Sequence, residues 1–272
     1  MTFQMSLLCT LLLLPFGCSK PEKAIPSAYT RIGDIDQSNF NEPSGICFHS
    51  VRKTLFVVGD EGDLCEIETD GTLIQEKRIR SGDFEGVTHN PTTGLIYIAV
   101  EDDESILEVD PDTFKILREF TVPRQFEGDT VMDEGSNGFE GITFMPDAKH
   151  PEGGTFIVAH QSFTLDDPEE ISALFELEVP LKTSKDKKVE AKILRCIKLD
   201  VIDLAALYFN VKTQQIYVVS DETNNLISLD KSGNILEQSF FPEEDQEGIT
   251  FDDQGFIYIA QDSGGIIKLK KK

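Results

Sequence analysis

The chain has 272 residues, of which 39% are hydrophobic, enough for one large single-core domain or a repeat architecture of that size. Its 49 acids against 25 bases leave a net charge of −24. That balance excludes a nucleic-acid surface built on clustered Lys and Arg, and it disfavours attraction to anionic lipid.

Residues 7–16 form an apolar run too short for a bilayer span, which takes about 20 residues, but suited to a signal-peptide core. The run ends in Leu14-Pro15-Phe16-Gly17-Cys18 and gives way to polar Ser19-Lys20-Pro21-Glu22-Lys23. This resembles the bacterial lipobox, in which a small residue precedes the cysteine that is lipidated. Cys18 is therefore the expected lipidation site, although Pro15 stands where Leu is usual and no Lys or Arg precedes the run. The expected organisation is a signal peptide over 1–18, a linker over 19–27 and one β domain over 28–272. Within that domain remain Cys47, Cys65 and Cys196. An odd count argues against a disulfide framework, and no Cys/His zinc spacing occurs, so buried free thiols are expected.

A repeat then runs through the domain. Asp83-Phe84-Glu85-Gly86-Val87-Thr88 is echoed by Gly138-Phe139-Glu140-Gly141-Ile142-Thr143 and by Asp245-Gln246-Glu247-Gly248-Ile249-Thr250. A looser copy opens the domain as Glu42-Pro43-Ser44-Gly45-Ile46, and a degenerate one reads Asp203-Leu204-Ala205-Ala206-Leu207. After each comes a turn and an apolar run: Leu55-Phe56-Val57-Val58, Ile96-Tyr97-Ile98-Ala99, Phe156-Ile157-Val158-Ala159, Ile216-Tyr217-Val218-Val219 and Ile257-Tyr258-Ile259-Ala260. Third and fourth strands follow, separated by turns such as Thr69-Asp70-Gly71 and Lys231-Ser232-Gly233. Period-2 runs punctuated by such turns are antiparallel strands joined by hairpins, and four per repeat make a propeller blade. The fold class expected is all-β, a β-propeller of four-stranded blades, five of them, with six as the alternative because the third repeat is long. Residues 148–153 look inserted there, and the polar segments 163–171 and 180–189 read as loops. The fifth copy has only three strands, so the segment beginning Ala28-Tyr29-Thr30 is expected to supply the fourth and close the ring.

In a propeller the first strand of each blade lines the central channel, and the start of the first strand shares a face with the end of the second. Glu85, Glu140 and Glu247 occupy the first position, with Ser44 and Ala205 as exceptions. Four residues beyond each aromatic stand Asp60, Glu101, His160, Asp221 and Asp262. These seven acids and one histidine are expected to ring one channel mouth. Crowded carboxylates repel, a divalent cation relieves the repulsion, and an oxygen-rich set suits calcium. The competing reading has the acids capping turns or bonding backbone N–H groups of neighbouring blades. His49, His89 and His150 fall in the hairpins of the other face, where surface positions are expected.

Glu42-Pro43-Ser44-Gly45-Ile46, Asp83-Phe84-Glu85-Gly86-Val87, Ile216-Tyr217-Val218-Val219-Ser220-Asp221-Glu222 and Gln246-Glu247-Gly248-Ile249-Thr250-Phe251-Asp252-Asp253-Gln254-Gly255 resemble the SdiA-regulated family of bacterial envelope propellers. The resemblance runs from Glu42 to Leu269 and implies the fold and an envelope location, with no established substrate. A weaker likeness joins the Glu-Gly-Ile elements to phytase-like esterases and gluconolactonase-type propellers, which use channel-mouth carboxylates to hold a metal; Ala205 departs from that pattern. Together these readings point to an exported lipoprotein of the bacterial envelope, on the periplasmic or outer face. It would be a monomer, held to a membrane only by its lipid, and would bind calcium and an unknown ligand or envelope protein on the acidic face. The alternative is a calcium-dependent hydrolase of ester or lactone bonds with His160 as base. No Gly-x-Ser-x-Gly nucleophile elbow occurs.

Overall fold

The computed structural model describes residues 29–36, 42–101, 103–132, 138–166, 171–240 and 245–272. The signal-peptide segment, Cys18 and the linker lie outside them.

The alternating runs form antiparallel sheets of four strands in sequence order. After β1 (Tyr29–Asp34), blade one holds β2 (Pro43–His49), β3 (Thr54–Gly59), β4 (Asp63–Ile67) and β5 (Leu73–Arg78). Blade two holds β6 (Phe84–His89), β7 (Ile96–Val100), β8 (Ser105–Asp110) and β9 (Lys115–Thr121), followed by the small hairpin β10 (Gln125–Phe126) and β11 (Asp129–Thr130). Blade three holds β12 (Phe139–Pro146), β13 (Gly154–His160), β14 (Ala173–Glu178) and, after the short β15 (Lys188–Glu190), β16 (Lys192–Lys198). Blade four is β17 (Leu204–Asn210), β18 (Gln215–Ser220), β19 (Asn225–Leu229) and β20 (Ile235–Phe240). Blade five is β21 (Gln246–Phe251), β22 (Phe256–Gln261), β23 (Ile266–Lys271) and, outermost, β1.

The inner strands β2, β6, β12, β17 and β21 contact one another in that cyclic order, and β21 returns to β2. The ring therefore has five blades, and the length of the third repeat does not encode a sixth. Residues 148–153 extend the hairpin between β12 and β13, whose last paired residues are Pro146 and Gly154. The segment 180–189 is not all loop, because β15 pairs in parallel with β9 and adds a fifth strand to blade two. β1 pairs with β23, Tyr29 against Lys271, so closure within the last blade is as expected.

Asx turns bend several hairpins: Asp70, Asp110, Asn210, Asp230 and Asp252 each accept a backbone N–H two residues on. The core is divided among the seams. One apolar cluster fills each: Phe56 with Phe84, Tyr97 with Phe156, Ile157 with Ile216, Val219 with Ile259, and Leu55 with Tyr258. Both faces of each sheet are thus covered, which explains apolar runs such as β3 and β7.

The repeat itself stitches these seams. A Cβ on Gly45, Gly86, Gly141 or Gly248 would stand under 3.0 Å from the backbone of the next inner strand, so only glycine permits this approach. Two residues on, the Thr88, Thr143 and Thr250 hydroxyls accept the N–H of Phe144, Phe209 and Phe48 in the next blade. The fourth copy, with Ala206 and Tyr208, makes its seam instead by stacking Tyr208 on Phe251 at 4.7 Å.

Candidate acidic site at the channel mouth

Each inner strand shifts register against its partner at the same place, between Pro43 and Gly45, Phe84 and Gly86, Phe139 and Ile142, Leu204 and Ala206, and Gln246 and Gly248. The residue left over on this bulge is Ser44, Glu85, Ala205 or Glu247, with Glu140 inside the shift of blade three. A bulge re-aims its side chain, and here it turns that residue out of the seam.

Aligned by register, three rows converge on this end. They are the bulge row, the row two residues before it (Glu42, Asp83, Gly138, Asp203, Asp245) and the row just after each second strand (Asp60, Glu101, Gln161, Asp221, Asp262). Backbone bonds fix the last two together: the N–H groups of Glu101, Gln161, Asp221 and Asp262 donate to the carbonyls of Asp83, Gly138, Asp203 and Asp245. Only Ser44, Ala205, Gly138 and Gln161 interrupt the acids, and no Lys or Arg does.

The seven acids expected from the sequence thus belong to one neighbourhood, joined by Glu42, Asp83, Asp203 and Asp245. The missed aspartates begin the quoted repeats, so the signal was there in Asp83-Phe84-Glu85 and its copies. His160 does not occupy the ring position. It pairs with Phe139, as Val100 pairs with Phe84, which makes Gln161 the counterpart of Glu101. Phe156 accordingly matches Ile96, not Tyr97, and counting from it lands one residue early. Period 2 puts His160 on the opposite face of its strand, fully buried, with Nδ1 donating to the Ile171 carbonyl at 3.0 Å and its ring edge-on to Phe175.

Some acids are held by the scaffold. Asp203 accepts from Gln161 Nε2 at 2.6 Å and the Glu222 N–H at 2.7 Å. Asp221 accepts the Gln246 N–H at 2.6 Å, Glu101 accepts the Gly138 N–H at 3.1 Å, and Asp60 accepts the Ser44 hydroxyl. Others are not so satisfied: Asp83 Oδ1 and Glu247 Oε2 are buried with no hydrogen-bond partner among the described residues. Asp60, Asp83 and Glu85 can each present an oxygen within 4.8 Å of the others.

Burial pushes Glu85 well above the usual carboxylate range, and Glu140, Asp83 and Asp60 add to the effect. Glu140 is raised by burial and then by Glu247 and Glu101, and Glu247 by burial and then by Asp221 and Asp203. Asp262 rises to about 6 through burial and the charge of Asp60. Three arginines of the outer strands and turns are engaged with other acids, Arg78 with Glu61, Arg80 with Asp103 and Arg124 with Glu104.

At the opposite end the turns between first and second strands surround an axial cavity of about 570 Å³, lined from all five blades. The histidines of this end are not simply superficial. His49 is buried, donates Nε2–H to the Gly94 carbonyl at 2.9 Å and stacks on His89 at 4.7 Å, while His150 contacts Glu178 at 3.1 Å. The three cysteines among the described residues are free thiols; Cys47 and Cys65 are buried and Cys196 is half-buried.

Solved propellers share this architecture at low identity. The glutaminyl cyclase of Myxococcus xanthus superposes with a TM-score of 0.62 at 12% identity, covering 89% of this chain and 95% of that one. A gluconolactonase from Xanthomonas campestris gives a TM-score of 0.55 at 13% identity, covering 93% and 97%. At these identities the likeness concerns the fold. No curated protein sequence matches significantly. The profile of the SdiA-regulated family matches residues 32–264, almost the whole propeller, and the chain belongs to that family.

Proposed function

We propose that the protein is a lipid-anchored envelope binding module whose acidic mouth takes up calcium and presents it, with the surrounding carboxylates, to a ligand or envelope partner. The reading rests on Asp60, Asp83 and Glu85, three oxygens within 4.8 Å, one of them on a carboxylate with an atom buried and unpartnered. Two ligands on opposite sides of a calcium ion are about 4.8 Å apart, twice a bond of roughly 2.4 Å. Among the described residues the mouth offers oxygen without thiolate or imidazole, which favours calcium over transition metals. Glu85 and Glu247, raised by burial and by the charges of neighbouring acids, gain from a cation.

Export and lipidation of Cys18 fit the geometry at the other end. Tyr29, the first described residue, lies beside the axial cavity. A tether from Cys18 would therefore reach the ring on that side and leave the acids facing away from the membrane.

Thermal unfolding with calcium and with excess chelator tests the metal. At calcium a hundredfold above its dissociation constant the melting temperature should rise by roughly 5–10 °C. Double substitution of Asp83→Asn and Glu85→Gln should abolish the rise. Because raised carboxylates must lose protons to bind, the shift should grow as pH rises from 5 through the Asp262 value of about 6 to 7.5. A pH-independent shift, or none, would remove calcium from the mouth. A hydrolase of esters or lactones is the second reading. It needs the same cation, and calcium-dependent turnover lost in Glu85→Gln would establish it.

A further inference from the structure

We propose that the axial cavity opposite the acids is a second binding site, for an uncharged and largely apolar small molecule. Its volume of about 570 Å³ falls within the roughly 300–1,000 Å³ of small-molecule sites. Along the inner strands the order is bulge residue, glycine (Ala206 in blade four), aliphatic residue, a residue facing the seam, and aromatic. The lining begins with the aliphatic row, so the mouth acids take no part in it. Phe48, Phe144, Phe209 and Phe251 come from four blades, and Tyr208 lies stacked on Phe251. His89 takes the equivalent place in blade two.

Several polar groups of the wall are engaged within the protein. Thr88, Thr143 and Thr250 accept N–H groups across the seams. His89 Nε2 accepts the Ser50 N–H at 3.2 Å, so a neutral ring carries its proton on Nδ1, against Cys47 Sγ at 3.4 Å. Burial holds His89 down to about 3 and Cys47 up to about 12, leaving both uncharged at neutral pH. At the rim Asp253 is paired with Lys53, and Asp252 accepts from the Tyr258 hydroxyl and its own turn. Lys212, Asp252 and Asp253 are the charged residues of the lining and all stand in the rim turns; deeper in, a charged ligand would lose its water and find little to replace it, whereas an apolar one with flat faces meets aromatic rings on several sides.

The probe is N-phenyl-1-naphthylamine, an uncharged apolar fluorophore, titrated into the purified protein. The chain has no Trp, and Tyr29, Tyr208 and Tyr217 line the cavity, so tyrosine emission gives a second, internal readout. Saturable binding of one probe per chain is expected, unchanged by calcium, chelator or Glu85→Gln, and weakened at least tenfold by Tyr208→Glu. Val211→Glu should weaken it about threefold or more; it places charge on an exposed rim residue, where folding is not at stake. Absence of saturable binding, affinity in both cavity variants equal to that of the unaltered protein, or loss on Glu85→Gln would overturn the site without bearing on calcium at the mouth.

Discussion

Glu85 and Gly86 are adjacent and conduct opposite business: the glycine draws two blades together, and the glutamate is turned out of the seam by the bulge that lets this happen. Placing a methyl at Gly86 forces it against the Glu140 carbonyl and the following backbone, neither of which can yield locally. Gly86→Ala should therefore cost about 1–3 kcal/mol, read as a lower urea midpoint at unchanged slope. The Glu-Gly pair was legible in the sequence as a repeat and as a source of acids. The glycine's inter-blade role was not, because a close approach to a strand some 50 residues away leaves no local signature. The same limit misplaced His160: a phenylalanine one residue early in β13 imitates the tyrosines of β7, β18 and β22, and only cross-strand register tells them apart.

Among elements, β1 has the most consequence for its size. It covers the outer edge of β23, and Asp34 also accepts the Ile266 N–H. Deleting residues 29–34 leaves that edge unpaired, in a chain whose blades otherwise finish with their own fourth strand. The expected result is a lower melting temperature and protein-concentration-dependent light scattering, as an open edge recruits other chains. Scattering equal to that of the intact protein would show that β1 does not protect the edge. The shortage of a strand in the fifth repeat made this closure readable beforehand. β15 was not readable, since three residues with one apolar side chain look like loop until a parallel neighbour, β9, takes them up. β10 and β11, two residues each, escape for the same reason.

The whole molecule has two unlike ends on one axis. Acids gather where inner strands begin, and aromatic side chains where they finish. The excess of acids announced the first end from composition and repeat alone. The second was hidden, because its residues sit at the fourth and fifth places of each repeat and read simply as strand; their convergence belongs to the ring. Closure has one more implication. β23 and β1 are neighbours with Lys271 opposite Tyr29, which amounts to a hairpin whose turn has been left out. Topologically the domain is a circle cut at that point, and the cut is not fixed by the packing of any seam. A circular permutant that joins Lys272 to Tyr29 through a short linker, and begins instead at Ser232 in the exposed turn between β19 and β20, should melt within a few degrees of the parent. A large loss would mean that the order in which the blades emerge, and not their mutual fit alone, determines the finished ring.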